Sequence, residues 1–360
     1  MQHGAGMPCI VGAGACTAVG NDLAATAAAV RAGIPGFADH PWCVDSAGAA
    51  VTVARAPALD AHHGGAGRFA ALAVDAALQA LASCGGARGS SPKLAVCLGL
   101  PGPRPGLPAD LVARVEHALR EALRDIADVV DIGIVRCGHS GALIGLELAR
   151  QRLASGSADL GLVGGVDSYL DAETLEWLES RGQLHSAGAG NNAWGFIPGE
   201  AAGWCVLASA AHAREAALAS WGRVRSTAVC QEPARGPGEV CLGRGLTEAF
   251  LGATGALALP RERVDHILCD MNGEPQRAEE FGFASLRTHD RFEDPSDFIA
   301  PADCWGDVGA ASGPLLLALA CTGRAKGYLP GDRALVWTSS ESGERAAALL
   351  DFTGVQGARR

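Results

Sequence analysis

Two kinds of apolar segment alternate along this chain, and that alternation limits its fold more than any other feature. Short runs of strand length lie at residues 8–14, 94–100, 129–135, 159–166, 203–207, 264–269, 334–338 and 347–352, and many end in glycine turns. Between several of them lie longer segments with apolar residues at helical spacing. These are residues 23–32 (behind the capping pair Asn21-Asp22), 67–81, 109–126 and 142–154. Strands that are apolar throughout must be covered on both faces, and interleaved helices supply that cover. The pattern predicts an α/β protein with largely parallel, helix-covered sheets. A helix within residues 209–220 links two stretches of similar make-up. Residues 1–210 and 211–360 are therefore expected to form two similar halves, although no strict sequence repeat is present.

Composition narrows the function. At 48% hydrophobic residues the chain can bury a large core, and its net charge is −10. That charge argues against nucleic acid or an anionic membrane as partner, because both select cationic surfaces. No uninterrupted apolar run is long enough to span a bilayer. The start, Met1-Gln-His-Gly, has neither the basic nor the apolar region of an export signal, so a cytoplasmic protein is expected. The 12 cysteines are scattered singly from Cys9 to Cys321 without a C-x-x-C pair, mostly inside apolar stretches. Reduced core thiols are expected, not a disulfide framework or a zinc site. Nothing in the sequence calls for a cofactor.

Several strings are more specific. Ile10-Val-Gly-Ala-Gly-Ala-Cys-Thr-Ala-Val-Gly20-Asn-Asp is a strand, a glycine turn and a helix start. Ser140 to Val166 reads S-G-A-L-I-G-L-E-L-A-R-Q-R-L-A-S-G-S-A-D-L-G-L-V-G-G-V. Gly195-Phe-Ile-Pro-Gly-Glu-Ala-Ala-Gly203, Cys269-Asp-Met-Asn-Gly-Glu, Cys304-Trp-Gly-Asp-Val-Gly-Ala-Ala-Ser-Gly313 and Ser339-Ser-Glu-Ser-Gly-Glu-Arg follow in order. Together they resemble the β-ketoacyl synthases of the thiolase superfamily, in sequence order and over nearly the whole chain. The resemblance is specific in the first half and looser in the second.

The resemblance implies a thiolase-like fold, two similar halves in a five-layered α-β-α-β-α arrangement, and it implies a site. In that family a cysteine at a helix N-terminus takes an acyl group, and helix dipole and backbone N–H groups stabilise the thiolate and oxyanion. Two histidines assist decarboxylation of a malonyl thioester. Counting back from Gly164-Gly165 without a gap, the cysteine position falls on His139. The two histidine positions fall on Asn272 and Asp307. The lysine that precedes the second histidine falls near Ala302, and the phenylalanine gatekeeper falls near Glu341. Glu341 and Phe196 are thus the candidates for the substrate side of the site, and Glu200 for hydrogen bonding in loop and core.

The substitutions change the chemistry. An acyl-imidazole hydrolyses readily, so His139 cannot hold a durable acyl group. Asn272 can donate a hydrogen bond but cannot titrate, and an anionic Asp307 would repel an enolate. Cys137 and Ser140 are the alternative nucleophiles. Gly138-His-Ser-Gly-Ala142 resembles a nucleophile elbow, although serine at that place commonly caps the helix. A His–Asp pair with an amide could serve acid–base chemistry or contribute to a metal site, but no clear third ligand is present.

Three functions remain open on the sequence. One is a non-condensing homologue that binds acyl or carrier thioesters, or pairs with an active ketosynthase as chain-length-factor subunits do. The second is a hydrolase, decarboxylase or acyltransferase of altered chemistry. The third is ordinary 3-oxoacyl synthase activity. A homodimer, or a heterodimer with an active ketosynthase, is implied by the resemblance, and an acyl carrier protein is a candidate partner.

Overall fold

The structure, a computed structural model, describes residues 7–85, 91–233 and 240–355. The start of the chain, Met1-Gln-His-Gly, lies outside the described residues. The first half runs β1 (Cys9–Cys16), α1 (Leu23–Ala32), β2 (Phe37–Val44), β3 (Ala50–Ala54), α2 (Gly65–Ser83), β4 (Lys93–Leu100), α3 (Leu111–Leu123) and β5 (Asp128–Arg136). It continues with α4 (Gly141–Ala154), β6 (Leu160–Ser168), α5 (Ala172–Ser180), β7 (Glu200–Ala208) and α6 (Ala210–Glu215). The second half is β8 (Gly222–Gln231), α7 (Arg244–Thr254), β9 (His266–Cys269), α8 (Pro275–Thr288), β10 (Phe298–Ile299), α9 (Ala302–Trp305), α10 (Ser312–Lys326), β11 (Arg333–Ser339) and β12 (Glu344–Asp351).

The main strands form one sheet in the order β10-β9-β11-β12-β8-β1-β7-β6-β4-β5. The seam in its middle is thin, because β1 and β8 share only the pairs Cys9↔Arg223 and Ile10↔Gly222. The sheet therefore works as two half-sheets, one from β1 and β4–β7 and one from β8–β12. Helices α4 and α10 fill the space between them, where Leu143, Leu146, Leu315 and Leu319 share a core with Cys205 of β7 and Val336 of β11. Outside the first half-sheet, Leu72 of α2 and Leu119 of α3 pack with Val96 and Trp204. Outside the second, Phe250 of α7 and Phe281 of α8 pack with Leu335 and Trp337. This is the thiolase-like α-β-α-β-α arrangement. Leu146 is fully buried between the half-sheets, and trimming such a side chain to Ala costs about 2–5 kcal/mol.

The sheet is mixed, not largely parallel. β4 pairs in parallel with β5 and β6, and β9 with β10 and β11. β7 runs antiparallel to β1 and β6, and β12 to β8 and β11. A strand covered by helices on both faces is apolar at every position whichever way its neighbours run, so its pattern does not reveal direction. The β2–β3 hairpin and β8 carry too many polar residues to show a buried-strand pattern in the sequence. No described helix is long and apolar enough to cross a membrane.

Two glycines set up the site. Gly138 has φ 76°, a left-handed turn that joins the end of β5 to α4. At Gly165 a Cβ would stand 1.9 Å from the carbonyl oxygen of Ala310. Only glycine lets the turn after Asp307 lie directly on β6.

Candidate functional site

β5 ends at Arg136, Gly138 reverses the chain, and Gly141 N donates to Gly138 O at 2.9 Å. This turn presents His139 at the head of α4. β9 ends at Cys269, and the segment Asp270–Glu274 leads into α8, whose first turn carries Arg277. Asp307 follows α9 through Gly306 (φ 73°). Its backbone is pinned, with Asp307 N donating to Ile197 O and Gly199 N to Asp307 O, each at 2.8 Å.

These segments bring His139, Asn272 and Asp307 into contact. His139 Nε2 lies 2.8 and 3.0 Å from the two carboxylate oxygens of Asp307. A carboxylate only accepts, so Nε2 is the donor. Asn272 Nδ2 donates to Asp307 Oδ2 at 2.7 Å and to Glu274 Oε2 at 3.1 Å. Gly309 N donates to Asp307 Oδ1 at 2.8 Å. The His139 and Asp307 side chains are only 3% and 2% exposed. Burial opposes the charged imidazole, but the Asp307 carboxylate outweighs it and holds the His139 pKa above its usual value. Burial likewise opposes the Asp307 charge. His139, Arg277 and the Gly309 N–H overcome it and hold the carboxyl far below its usual range. The two residues form a closed, buried ion pair.

The sequence reading missed the cation behind this pair. Arg277 is 5% exposed. Its Nε donates to Glu274 Oε2 at 3.2 Å, and its Nη1 to Asp270 Oδ2 at 3.2 Å and Ser339 O at 3.0 Å. Its Nη2 comes within 3.5 Å of His139 Nε2. Ala302, near which the resemblance puts a lysine, is itself uncharged, while α8 supplies a cation at the pair. The available signal was the charged string Asp270-Met-Asn-Gly-Glu-Pro-Gln-Arg277 directly after a buried strand. A second network braces the same turn. Arg104 Nη2 donates to Asp167 Oδ1 at 2.6 Å and to Ser168 O at 2.8 Å, and Asp167 Oδ2 accepts from Ala310 N at 3.0 Å.

The other candidates fall into different places. Ser140 is fully buried and does not cap α4 with its side chain. Its Oγ lies 3.1 Å from Thr338 O and 3.0 Å from Glu344 O, and its N donates to Ser340 Oγ at 2.9 Å. It joins α4 to β11 and β12. The capping expectation fails because the second half-sheet offers carbonyls to that hydroxyl. The Cys137 thiol is pushed up to about 11 by burial, with the charge of Glu344 adding to it. Phe196 packs edge-on to Tyr169, with ring centroids 5.6 Å apart, in a small core with Leu178 and Leu184. Glu341 sits at the β11–β12 turn, 3.9 Å from both Arg181 and Arg277. Glu200 accepts from Arg68, from Ser168 Oγ at 2.9 Å and from Ala56 N at 2.9 Å.

A void of about 10 Å³ borders Asp270 and Asp307, at most the room of one water. Among the described residues, Glu232, Cys241 and Glu280 bring potential metal-ligand atoms within 4.8 Å of one another. Glu232 already accepts from Arg244 N and Gly245 N at the start of α7, and Glu280 is paired with Arg345.

The β-ketoacyl synthase N-terminal domain family matches residues 134–213, the end of β5 through α6. Polyketide synthase PksL of Bacillus subtilis (strain 168) is 43% identical over 72 residues, which is 19% of this chain and 2% of that protein. Among solved structures, the ketosynthase from module 6 of the bacillaene synthase of Bacillus subtilis 168 superposes with TM-score 0.76 at 16% identity, covering 96% of this chain and 72% of that one. A ketosynthase in complex with its type II polyketide acyl carrier protein gives 0.78 at 15% identity, covering 97% of this chain and 99% of that one. The ishigamide ketosynthase/chain length factor gives 0.70 at 21% identity, covering 96% of this chain and 99% of that one.

Proposed function

We propose that this chain is a member of the β-ketoacyl synthase family and a non-condensing subunit that acts through its surfaces. One observation carries the reading. The head of α4, where the family resemblance places an acylated thiol, holds an imidazole that is 3% exposed and closed onto Asp307. An imidazolium that donates to a carboxylate offers no lone pair on that nitrogen for attack, and its burial leaves no path for a thioester. Ser140 supports the same reading, since two backbone carbonyls hold its hydroxyl and no base among the described residues contacts it. Raising the Cys137 pKa to about 11 leaves little thiolate near neutrality.

The surface we propose for pairing is the free edge of β5. Among the described residues, that strand bonds to β4 on one side only. Ile126, Val130 and Leu148 lie exposed beside it, and an open apolar edge favours a partner strand. The relatives include a ketosynthase paired with a chain length factor and a ketosynthase held by an acyl carrier protein. A second ketosynthase-fold subunit is accordingly the proposed partner, with a carrier protein docking on the pair. The division of the chain at residue 210 belongs to the same proposal.

The test is to incubate the protein with acyl- and malonyl-carrier thioesters and follow protein mass, released thiol and carbon dioxide. No acyl-protein and no carbon dioxide are expected. Acylation at any residue, or decarboxylation above the protein-free rate, would overturn the reading. Free acid without acyl-protein would point to hydrolysis instead.

A further inference from the structure

A polar pocket of about 70 Å³ lies between the first turn of α8 and the β11–β12 turn, lined by Gln276, Arg277, Glu280, Ser339, Glu341 and Arg345 among others. Its donors are not all used. Arg345 directs Nε to Glu280 and Nη1 to the carbonyls of Ser340 and Glu344, and its Nη2 has no partner among the described residues. Arg277 commits Nε and Nη1 to Glu274, Asp270 and Ser339 O. Its Nη2 faces His139 Nε2, which is itself a donor to Asp307, so that contact is no hydrogen bond. Ser339 is 3% exposed, and its Oγ is buried without a partner among the described residues. Both arginines are more than nine-tenths buried, so these N–H groups face the pocket from a largely enclosed setting.

The carboxylate that faces Arg277 Nη2 is Glu341, at 3.9 Å. That is too far for a hydrogen bond. Glu341 is equally far from Arg181, and its side chain is 46% exposed. It is a loosely held internal anion standing at the mouth of the pocket, and water can receive it. The first turn of α8 adds its positive dipole end from the same side.

We propose that this pocket is a small-oxyanion site. A carboxylate or phosphate group would sit against Arg277, Arg345 and Ser339 after Glu341 turns outward. Planar guanidinium edges suit such groups geometrically. The Arg345–Glu280 pair stays in place, and the ligand takes only the donors that pair leaves free. The inference uses neither the pairing surface nor the absence of condensation, so it stands or falls separately from both.

Calorimetric titration of the full chain with malonate, and separately with inorganic phosphate, at ionic strength matched with chloride, tests it. Saturable binding of at least one probe is expected, and the stronger one identifies the ligand class. Glu341→Ala removes the competing carboxylate and should tighten binding by about fivefold, and Gln276→Glu adds one and should weaken it by a similar factor. Ser339→Ala should also weaken it. Both Glu341 and Gln276 are exposed, so these variants keep the core intact. No saturable heat with either probe, in the wild type and in Glu341→Ala alike, overturns the site. So does binding that Glu341→Ala and Gln276→Glu leave unchanged, because the anion would then sit elsewhere.

Discussion

Replacing Asp307 by Asn tests the buried ion pair most directly. The change keeps the volume and one amide oxygen, but it removes the charge that balances His139. It also weakens the acceptor used by Asn272 Nδ2 and Gly309 N. Breaking a buried pair from one side costs about 3–5 kcal/mol, because the surviving charge is left without a partner. Here the survivor can lose its proton, so the cost depends on pH. The His139 pKa is raised from 6.5, so its contribution is complete below that value and fades as pH climbs through the raised one. Asp307 is lowered from 3.8, so its contribution is complete above that value and fades only in stronger acid. The loss in Asp307→Asn should therefore be largest between about pH 4 and pH 6.5 and shrink as pH climbs through the raised His139 value. Urea unfolding at fixed protomer concentration gives the difference at each pH. The double variant His139→Asn with Asp307→Asn should lose less than the sum of the singles, by about 1–3 kcal/mol. Single losses that add to within about 0.5 kcal/mol, with no change across that pH range, would refute the ion-pair account.

Further outcomes follow from other residues. Cys137, raised to about 11, should react with iodoacetamide near neutral pH far more slowly than a free thiol in a peptide, as followed by peptide mass mapping. Ser140→Ala should destabilise the fold by about 1–3 kcal/mol, because the hydroxyl joins α4 to β11 and β12. It should leave unchanged any thioester hydrolysis measured in the same preparation, which separates a structural serine from a nucleophile. Val130→Glu on the open edge of β5 should lower the apparent mass in light scattering while the unfolding midpoint of the isolated chain shifts by less than about 0.5 kcal/mol equivalent.

The sequence was most legible where one local pattern had one structural answer. Asp22 caps α1 by accepting from Ala25 N at 2.7 Å, as the Asn21-Asp22 pair suggests. The segment leading from β5 through α4 into β6 forms the strand, helix and strand its apolar pattern predicts, because a helix packed between two half-sheets needs an apolar face of matching length. It was least legible where residues far apart in sequence meet. Arg277 looks like an ordinary helix-start arginine until β9 and β11 bring Asp270 and Ser339 to it. Ser140 looks like a cap until the second half-sheet presents two carbonyls. Phe196 looks like part of a substrate site until α5 places Leu178 beside it.

The amino-acid order alone determined the α/β class and singled out His139, Asn272 and Asp307, since apolar spacing and residue identity are local properties. Only the tertiary structure decided what those three residues do. Charge and hydrogen bonding act through space, and the contact between His139 and Asp307, across 168 positions of chain, exists only once both half-sheets have closed on α4.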